Sequence, residues 1–224
     1  MRRLADARLR CVTTEVSPDC HADIGTDHAL LPLYLLNHRI CSRVIATERS
    51  PRAFRVARQA LWGRGAEVLL GEGLAPLEGF EVGSLSICGM GGSNICEILG
   101  AHPEFVPDTL VLQANRDAHK VRRWAFASGF HLIREQLATG FQLFEILTFH
   151  RQSGEDPAYR GMDRELGFHF GPHLLRSKDT RLEKELQRRR ALQHDHPKNR
   201  ELQRIRQALL LFDPAAAVEG LPLG

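Results

Sequence analysis

Between residues 20 and 150 the chain alternates short apolar runs with stretches of helical period. Ala22-Asp23-Ile24, Val44-Ile45-Ala46, Val68-Leu69-Leu70, Leu85-Ser86-Ile87-Cys88 and Leu110-Val111-Leu112 lack period-two alternation. Such runs predict strands buried on both faces, as in a parallel sheet covered by helices. Residues 30–36, 51–61, 93–99 and 117–127 carry the helical period and predict the crossovers. An opening amphipathic helix is predicted from Ala5, Leu9, Val12 and Val16, spaced by 4, 3 and 4, and Ser17-Pro18-Asp19 ends it. Two consecutive strands at 130–137 and 141–149, joined at Thr139-Gly140, close the series as an antiparallel hairpin. The expectation is an α/β, Rossmann-like, seven-stranded and mostly parallel sheet. A plain dinucleotide-binding fold would continue with further crossover units instead.

Around residues 152–160 the chain turns polar, with Gly154 and Pro157. The predicted boundary separates residues 1–152 from a linker and appendage at 153–224. Helical stretches at 178–193 and 199–212 flank His194-Asp195-His196-Pro197, with Pro197 just inside the second helix start. Leu202, Ile205, Leu209 and Phe212 keep a 3-4-3 spacing, which predicts an antiparallel helical hairpin.

Charge sharpens this division. The net charge is +3, but 26 of the 30 basic residues are Arg. From His173 to Arg206 there are eleven Lys/Arg against five Asp/Glu, so the appendage is basic and the remainder is not. Arginine is the better bidentate ligand for phosphate; for the total alone, a general compositional bias is the plainer explanation. A chain of 224 residues, 43% hydrophobic and 25% charged, is globular rather than disordered. Its longest uncharged stretch, residues 82–96, spans 15 residues with four glycines, too short and too broken for a membrane span. Charges at Arg2, Arg3, Asp6 and Arg8 stand where a signal peptide needs an apolar core. The five cysteines are odd in number and never spaced as CxxC, so reduced thiols and a cytoplasmic location are expected. No metal site is expected, since His194 and His196 sit at a polar helix turn and His169 and His173 lack a nearby cysteine or acidic partner.

The chemistry concentrates at predicted strand ends. Asp23-Ile24-Gly25-Thr26-Asp27-His28 follows the first strand, where open α/β sheets bind ligands. Asp27 and His28 occupy positions that a pyrophosphate loop would keep for glycine. A carboxylate repels pyrophosphate and tolerates a cation, which favours S-adenosylmethionine (SAM) over NAD. The plainer alternatives are that Asp23 and Asp27 cap the next helix and that His28 only packs. Glu48 ends the second strand, 23 residues beyond Gly25, where an acid accepts ribose hydroxyls; alternatively it pairs with Arg49 or Arg52. Glu72 and Gly73 follow the third strand. Gly89 and Met90, in Ile87-Cys88-Gly89-Met90-Gly91-Gly92, offer a flat floor without ionisable groups. Gln113 and Asn115 bring carboxamides that can read an adenine edge, or Asn115 caps a helix.

These motifs together resemble a known family. Asp23–Pro32 (DIGTDHALLP), Ile87–Gly92 (ICGMGG), Leu112–Asn115 (LQAN) and Phe144-Glu145-Ile146-Leu147 look like the bacterial tRNA (adenine-22-N1)-methyltransferases, in order and at matching spacing over residues 4–150. The resemblance implies a class I methyltransferase fold, whose usual outline is a doubly wound sheet closed by a hairpin. It also implies SAM as methyl donor, adenine N1 at position 22 in the tRNA D-arm as acceptor, and a C-terminal helical appendage that binds RNA. Ala114 stands where the family usually has proline, and Glu72 where Asn or Asp is commoner. On this basis Asp23, Gly25, Thr26, Asp27, His28, Glu48, Arg49, Glu72, Gly73, Gly89 and Met90 are expected to hold SAM. Asp27, Gln113 and Asn115 are expected to act on the base. Arg116, Lys120, Arg122, Arg123, Arg181, Arg188, Arg189, Arg190 and Arg204 are expected on tRNA phosphates. The alternatives are a SAM enzyme acting on another RNA position or a small molecule, and an inactive RNA-binding relative.

Overall fold

The computed structural model describes residues 8, 10–13, 16–140, 142–193 and 199–213. Ala5 and Leu9 of the expected opening helix, Phe141 of the hairpin and the His194–Pro197 turn lie outside them. Contacts divide the chain after Asp156 into two units.

In the first unit, strands β1 (Cys20–Ile24), β2 (Arg43–Glu48), β3 (Ala66–Leu70), β4 (Ser84–Gly91) and β5 (Thr109–Arg116) run parallel. β7 (Leu143–Arg151) lies antiparallel between β5 and β6 (Phe130–Thr139), giving the order β3-β2-β1-β4-β5-β7-β6. The apolar runs explain the centre: Val44, Ile45, Ala46, Leu85, Ile87, Leu110, Val111 and Leu112 are fully buried. β3 departs from that expectation, because as an edge strand it is only partly covered. β4 outlasts its apolar run by three residues, with register shifts against β5 at Cys88/Met90 and Met90/Gly91. That bulge carries Gly89-Met90 past the regular ladder. The direction of winding reverses between β1 and β4, and a crevice opens there beyond the strand ends.

The crossover helices are α1 (Leu30–Asn37), α2 (Pro51–Ala60), α3 (Gly92–Ala101) and α4 (Ala118–Ala127). Ser50 caps α2 by accepting from Ala53 N, with Pro51 opening the first turn. Residues 153–156 belong to this unit: Asp156 Oδ2 accepts from Leu132 N at 2.9 Å, and Gly154 O accepts from His131 Nε2 at 3.1 Å.

The second unit begins with two helices the periodicity did not suggest, α5 (Arg164–Phe170) and α6 (Pro172–Arg176). Asp163 caps α5 through Leu166 N, and α6 opens on Pro172. α7 (Thr180–Leu192) and α8 (Arg200–Phe212) are the expected hairpin, capped by Asp179 and Asn199. Leu182 and Leu186 face Leu202, Ile205 and Ala208. Ala208 takes the place the spacing assigned to Leu209, which is only half-buried together with Phe212.

Candidate functional site

The loop after β1 is pinned to the end of β2. The N–H groups of Gly25 and Thr26 both donate to Thr47 O, at 2.9 and 3.0 Å. Asp27 N donates to Glu48 Oε2 at 3.0 Å, while Glu48 Oε1 accepts from Ser50 N at 2.8 Å. Glu48 is therefore neither paired with Arg49 nor with Arg52; it is a buried clamp between two loops. Asp27 and Ala29 are held at φ 49° and 55°, a left-handed conformation costing on the order of 1–3 kcal/mol each. Backbone bonds and the Glu48 clamp hold that strain in place. Gly25 is required by its φ of +72°, and it leaves room for the end of the Met90 side chain, which a Cβ would displace.

A cavity of about 340 Å³ lies against this loop. Asp23, Gly25, Thr26, Asp27, His28, Gly89 and Met90 line it, together with Arg8 and Cys88, which the sequence did not single out. Burial pushes the Cys88 thiol up to about 12, so it stays protonated and adds no nucleophile. Neither acid caps the following helix, since α1 has no side-chain cap. The Asp27 side chain is 69% exposed, and its Oδ2 lies 2.9 Å from His28 Nδ1. Asp23 is the opposite case, buried on a polar chain that crosses the sheet. Ser86 Oγ donates to Asp23 Oδ1 at 2.8 Å, and His21 Nε2 meets Ser86 Oγ at 2.9 Å. On its other side, His21 Nδ1 meets Ser84 Oγ at 2.8 Å, and Ser84 Oγ accepts from Ser17 N at 2.7 Å. With Asp23 ionised, the direction of every proton follows: His21 Nε2 donates, and Nδ1 accepts from Ser84. Burial lowers His21 to about 3, which keeps the ring neutral as this order needs. Burial also raises the Asp23 carboxyl, countered by the neighbouring Thr26 and Ser86 hydroxyls.

Asn115 is tied to the floor, its Nδ2 donating to Gly89 O at 2.6 Å. Gln113 is fully buried; its Nε2 donates to Asn115 Oδ1 at 3.1 Å and its Oε1 accepts from Arg8 Nη1 at 3.4 Å. Gln113 was expected to touch a base; here it has no exposed surface, and its amide bonds Asn115. Helix α4 is capped at Asp117, so Asn115 is not a capping residue. Arg49 and Glu72, both 75% exposed, pair with each other at 3.4 Å, and Gly73 O accepts from Thr47 Oγ1 at 3.0 Å. These three stand at the ends of β2 and β3, outside the cavity lining.

The phosphate ligands separate further. Arg122 is fully buried between Glu135, at 2.7 Å, and Glu145, joining α4 to the β6–β7 hairpin. Its expected phosphate contact is withdrawn, because a guanidinium with no exposed surface already saturated by two carboxylates has nothing to offer RNA. Arg116 is exposed, Arg123 half-buried, and Lys120 bonds Ser93 at 2.8 Å. In the second unit Arg181 pairs with Asp179 at 2.6 Å, and Arg188 and Arg189 share Glu185, each at 2.8 Å. Arg190 is exposed and Arg204 half-buried. No group of three or more potential metal ligands occurs among the described residues, and no helix there is long and apolar enough to cross a membrane.

A sheet in this strand order, with a terminal antiparallel hairpin and a ligand crevice at the β1/β4 reversal, is the class I methyltransferase fold. A family model described as tRNA (adenine(22)-N(1))-methyltransferase matches residues 21–208. The tRNA (adenine(22)-N(1))-methyltransferase of Bacillus subtilis (strain 168) is 34% identical over 168 residues, 71% of this chain and 69% of that protein. The chain belongs to the tRNA (adenine(22)-N(1))-methyltransferase family. The crystal structure of the B. subtilis M1A22 tRNA methyltransferase is similar with a TM-score of 0.76 and 28% identity, covering 92% of this chain and 96% of that one. A candidate tRNA (m1A22) methyltransferase of Streptococcus pneumoniae, in complex with S-adenosyl-L-methionine, gives a TM-score of 0.75 at 25% identity, covering 90% and 98%.

Proposed function

We propose that this chain transfers a methyl group from SAM to N1 of adenine 22, in the D-arm of tRNA, in the cytoplasm. The observation that carries the reading is the composition of the cavity at the β1/β4 reversal. Two carboxylates, Asp23 and Asp27, line it beside a glycine–methionine floor, to which Asn115 is tied. The residues fit the donor. Thr26 Oγ1 is buried next to the Asp23 carboxyl without a regular hydrogen-bond partner, so a ligand group reaching it would complete its bonding. Asp23 suits an ammonium, Arg8 a carboxylate, and Glu48 keeps lone pairs for hydroxyls beyond the two backbone donors it holds. SAM, when bound, supplies an electrophilic methyl group next to a sulfonium.

Adenine N1 attacks with an in-plane lone pair and has no proton to lose, so no general base is needed. The chain's task is alignment and exclusion of water, worth on the order of 7–11 kcal/mol when complete. Asn115 retains one amide proton and one lone-pair direction for the base edge, and Gln113 holds it in orientation. The product is a cation, and Asp27 stabilises that charge as it develops. Drawing adenine 22 out of the folded tRNA costs on the order of a few kcal/mol. Phosphate contacts from Arg116, Lys120, Arg123 and the appendage's Arg181, Arg188, Arg189, Arg190 and Arg204 offset it.

Incubation of unmodified tRNA with labelled SAM, followed by mapping of the labelled nucleoside, tests this reading. Label in 1-methyladenosine at position 22 is expected; label elsewhere overturns it. Asp27→Ala is expected to lower the single-turnover rate at saturating SAM and tRNA about 100-fold or more. An unchanged rate removes Asp27 from the mechanism.

A further inference from the structure

Helix α2 and the turn after it carry charge differently from the rest of the chain. Residues 50–66 contain Arg52, Arg55, Arg58 and Arg64 and no carboxylate. The nearest acids are already engaged, Glu48 with the N–H groups of Asp27 and Ser50, Glu67 with Arg43 and Glu72 with Arg49. The side chains of Arg52, Arg58 and neighbouring Arg39 have no hydrogen-bond or ion-pair partner among the described residues. Arg55 Nε and Arg64 Nη1 donate only to neutral oxygens, Pro51 O at 3.1 Å and Asn37 Oδ1 at 3.0 Å. Five guanidinium groups therefore stand exposed with their charge uncompensated. Arg52, Arg55 and Arg58 recur every three residues along a helix of 10 residues, about 15 Å long. The helix begins at the β2 end that bears Glu48 and runs back along the strands to the far end of the sheet, where β3 starts.

At that far end Trp62 is 77% exposed, the most exposed large apolar side chain described. Gly63 and Gly65, both at positive φ, turn the chain on either side of Arg64. Next to this turn is a second cavity, of about 540 Å³, lined by Arg39, Arg64, Asn37, Ser42 and apolar groups, with no carboxylate. This run of bases without acids differs from α7, where Arg188 and Arg189 are matched by Glu185, and it ends beside an exposed indole.

We propose that the α2 face, ending in Trp62 and the Arg39–Arg64 cavity, is an RNA-contact surface of the catalytic unit. Arg52, Arg55 and Arg58 hold successive backbone phosphates, Trp62 stacks on an unpaired base, and the cavity takes a phosphate and its sugar. The chemistry is that of proteins that track single strands, a basic path with an aromatic platform. Arginine also suits phosphate through its two-pronged donor geometry. The inference rests on the reading of tRNA as substrate and adds where the catalytic unit grips it, away from the SAM cavity.

The test measures binding of unmodified tRNA across a salt series. The proteins are the full-length wild type, the triple variant Arg52→Gln/Arg55→Gln/Arg58→Gln, Trp62→Ala and Trp62→Phe. All four side chains are exposed, and unchanged melting temperature and SAM affinity verify that each variant is folded. The triple variant is expected to bind at least 10-fold more weakly, with a log–log salt slope shallower by about 2, at about 0.7 per lost phosphate contact. Trp62→Ala is expected to lose about 5-fold or more, and Trp62→Phe to recover most of it. If wild type binds tRNA and the variants match it in affinity and salt slope, the α2 surface is refuted and the substrate stands. If wild type itself does not bind tRNA, the substrate reading falls and this inference falls with it.

Discussion

Charged residues are used in opposite ways in the two units. In the catalytic unit the decisive ones are buried or individually placed. Arg122 is sealed between two carboxylates, Asp23 sits on a relay through the sheet, and Glu48 clamps two backbone N–H groups. In the appendage the arginines are denser, 10 in residues 157–224 against 16 in residues 1–156, but lie towards the surface, and several are paired with acids close by in the chain: Arg181 with Asp179, Arg188 and Arg189 with Glu185. The density of basic residues along the sequence thus points to the appendage, while energetic and chemical weight per charge lies in the catalytic unit. Environment, not formal charge, sets what an ionised group contributes.

The sharpest way to break this contrast is Arg122→Met. Removing it strands Glu135 and Glu145, and a loss of about 3–5 kcal/mol in urea unfolding is expected. The matched change in the appendage, Arg181→Met, is expected to cost below about 1 kcal/mol. Equal midpoints for the two variants would abolish the distinction. A smaller effect concerns His21, whose folded value is about 3 against an ordinary 6.5. The unfolded chain takes up a proton below pH 6.5 that the buried ring refuses, so stability falls as pH drops from 6.5 towards 3. His21→Gln should therefore lose less stability than wild type between those limits, by up to about 1.4 kcal/mol per pH unit, measured by urea unfolding at a series of pH values. The smallest effect belongs to Glu185, lowered from 4.5 to about 2 by its bonds to Arg188 and then Arg189. Its contribution is complete above pH 4.5 and disappears towards pH 2. Glu185→Gln should cost less than about 1 kcal/mol at pH 7 and remove that acid limb.

The loop from Asp23 to His28, the Gly89–Met90 floor and the carboxamides of Gln113 and Asn115 were all visible as motifs, because each is a contiguous string at a strand end. His21, Ser84 and Ser86 were not. They lie on two strands more than 60 residues apart, and only the β1–β4 register, with His21 opposite Ser84, brings them together. Arg8 joined the cavity by the same kind of long-range approach. Arg122 and Arg123 are neighbours in the sequence and equally basic, but the turn of α4 buries the first against β6 and β7 and leaves the second half-exposed.

By itself the sequence determined the alternation of strands and helices, the closing hairpin, the helical appendage and the acidic loop that favours a cationic donor. Those features rest on local periodicity and on short strings whose geometry follows from covalent structure and turn chemistry. Tertiary structure alone decided that Gln113 is buried against Asn115, that Glu48 clamps backbone, that Arg122 is sealed between two carboxylates and that the arginines of α2 pair with no acid. Burial and pairing depend on what distant segments bring to the same place, and no local pattern encodes that.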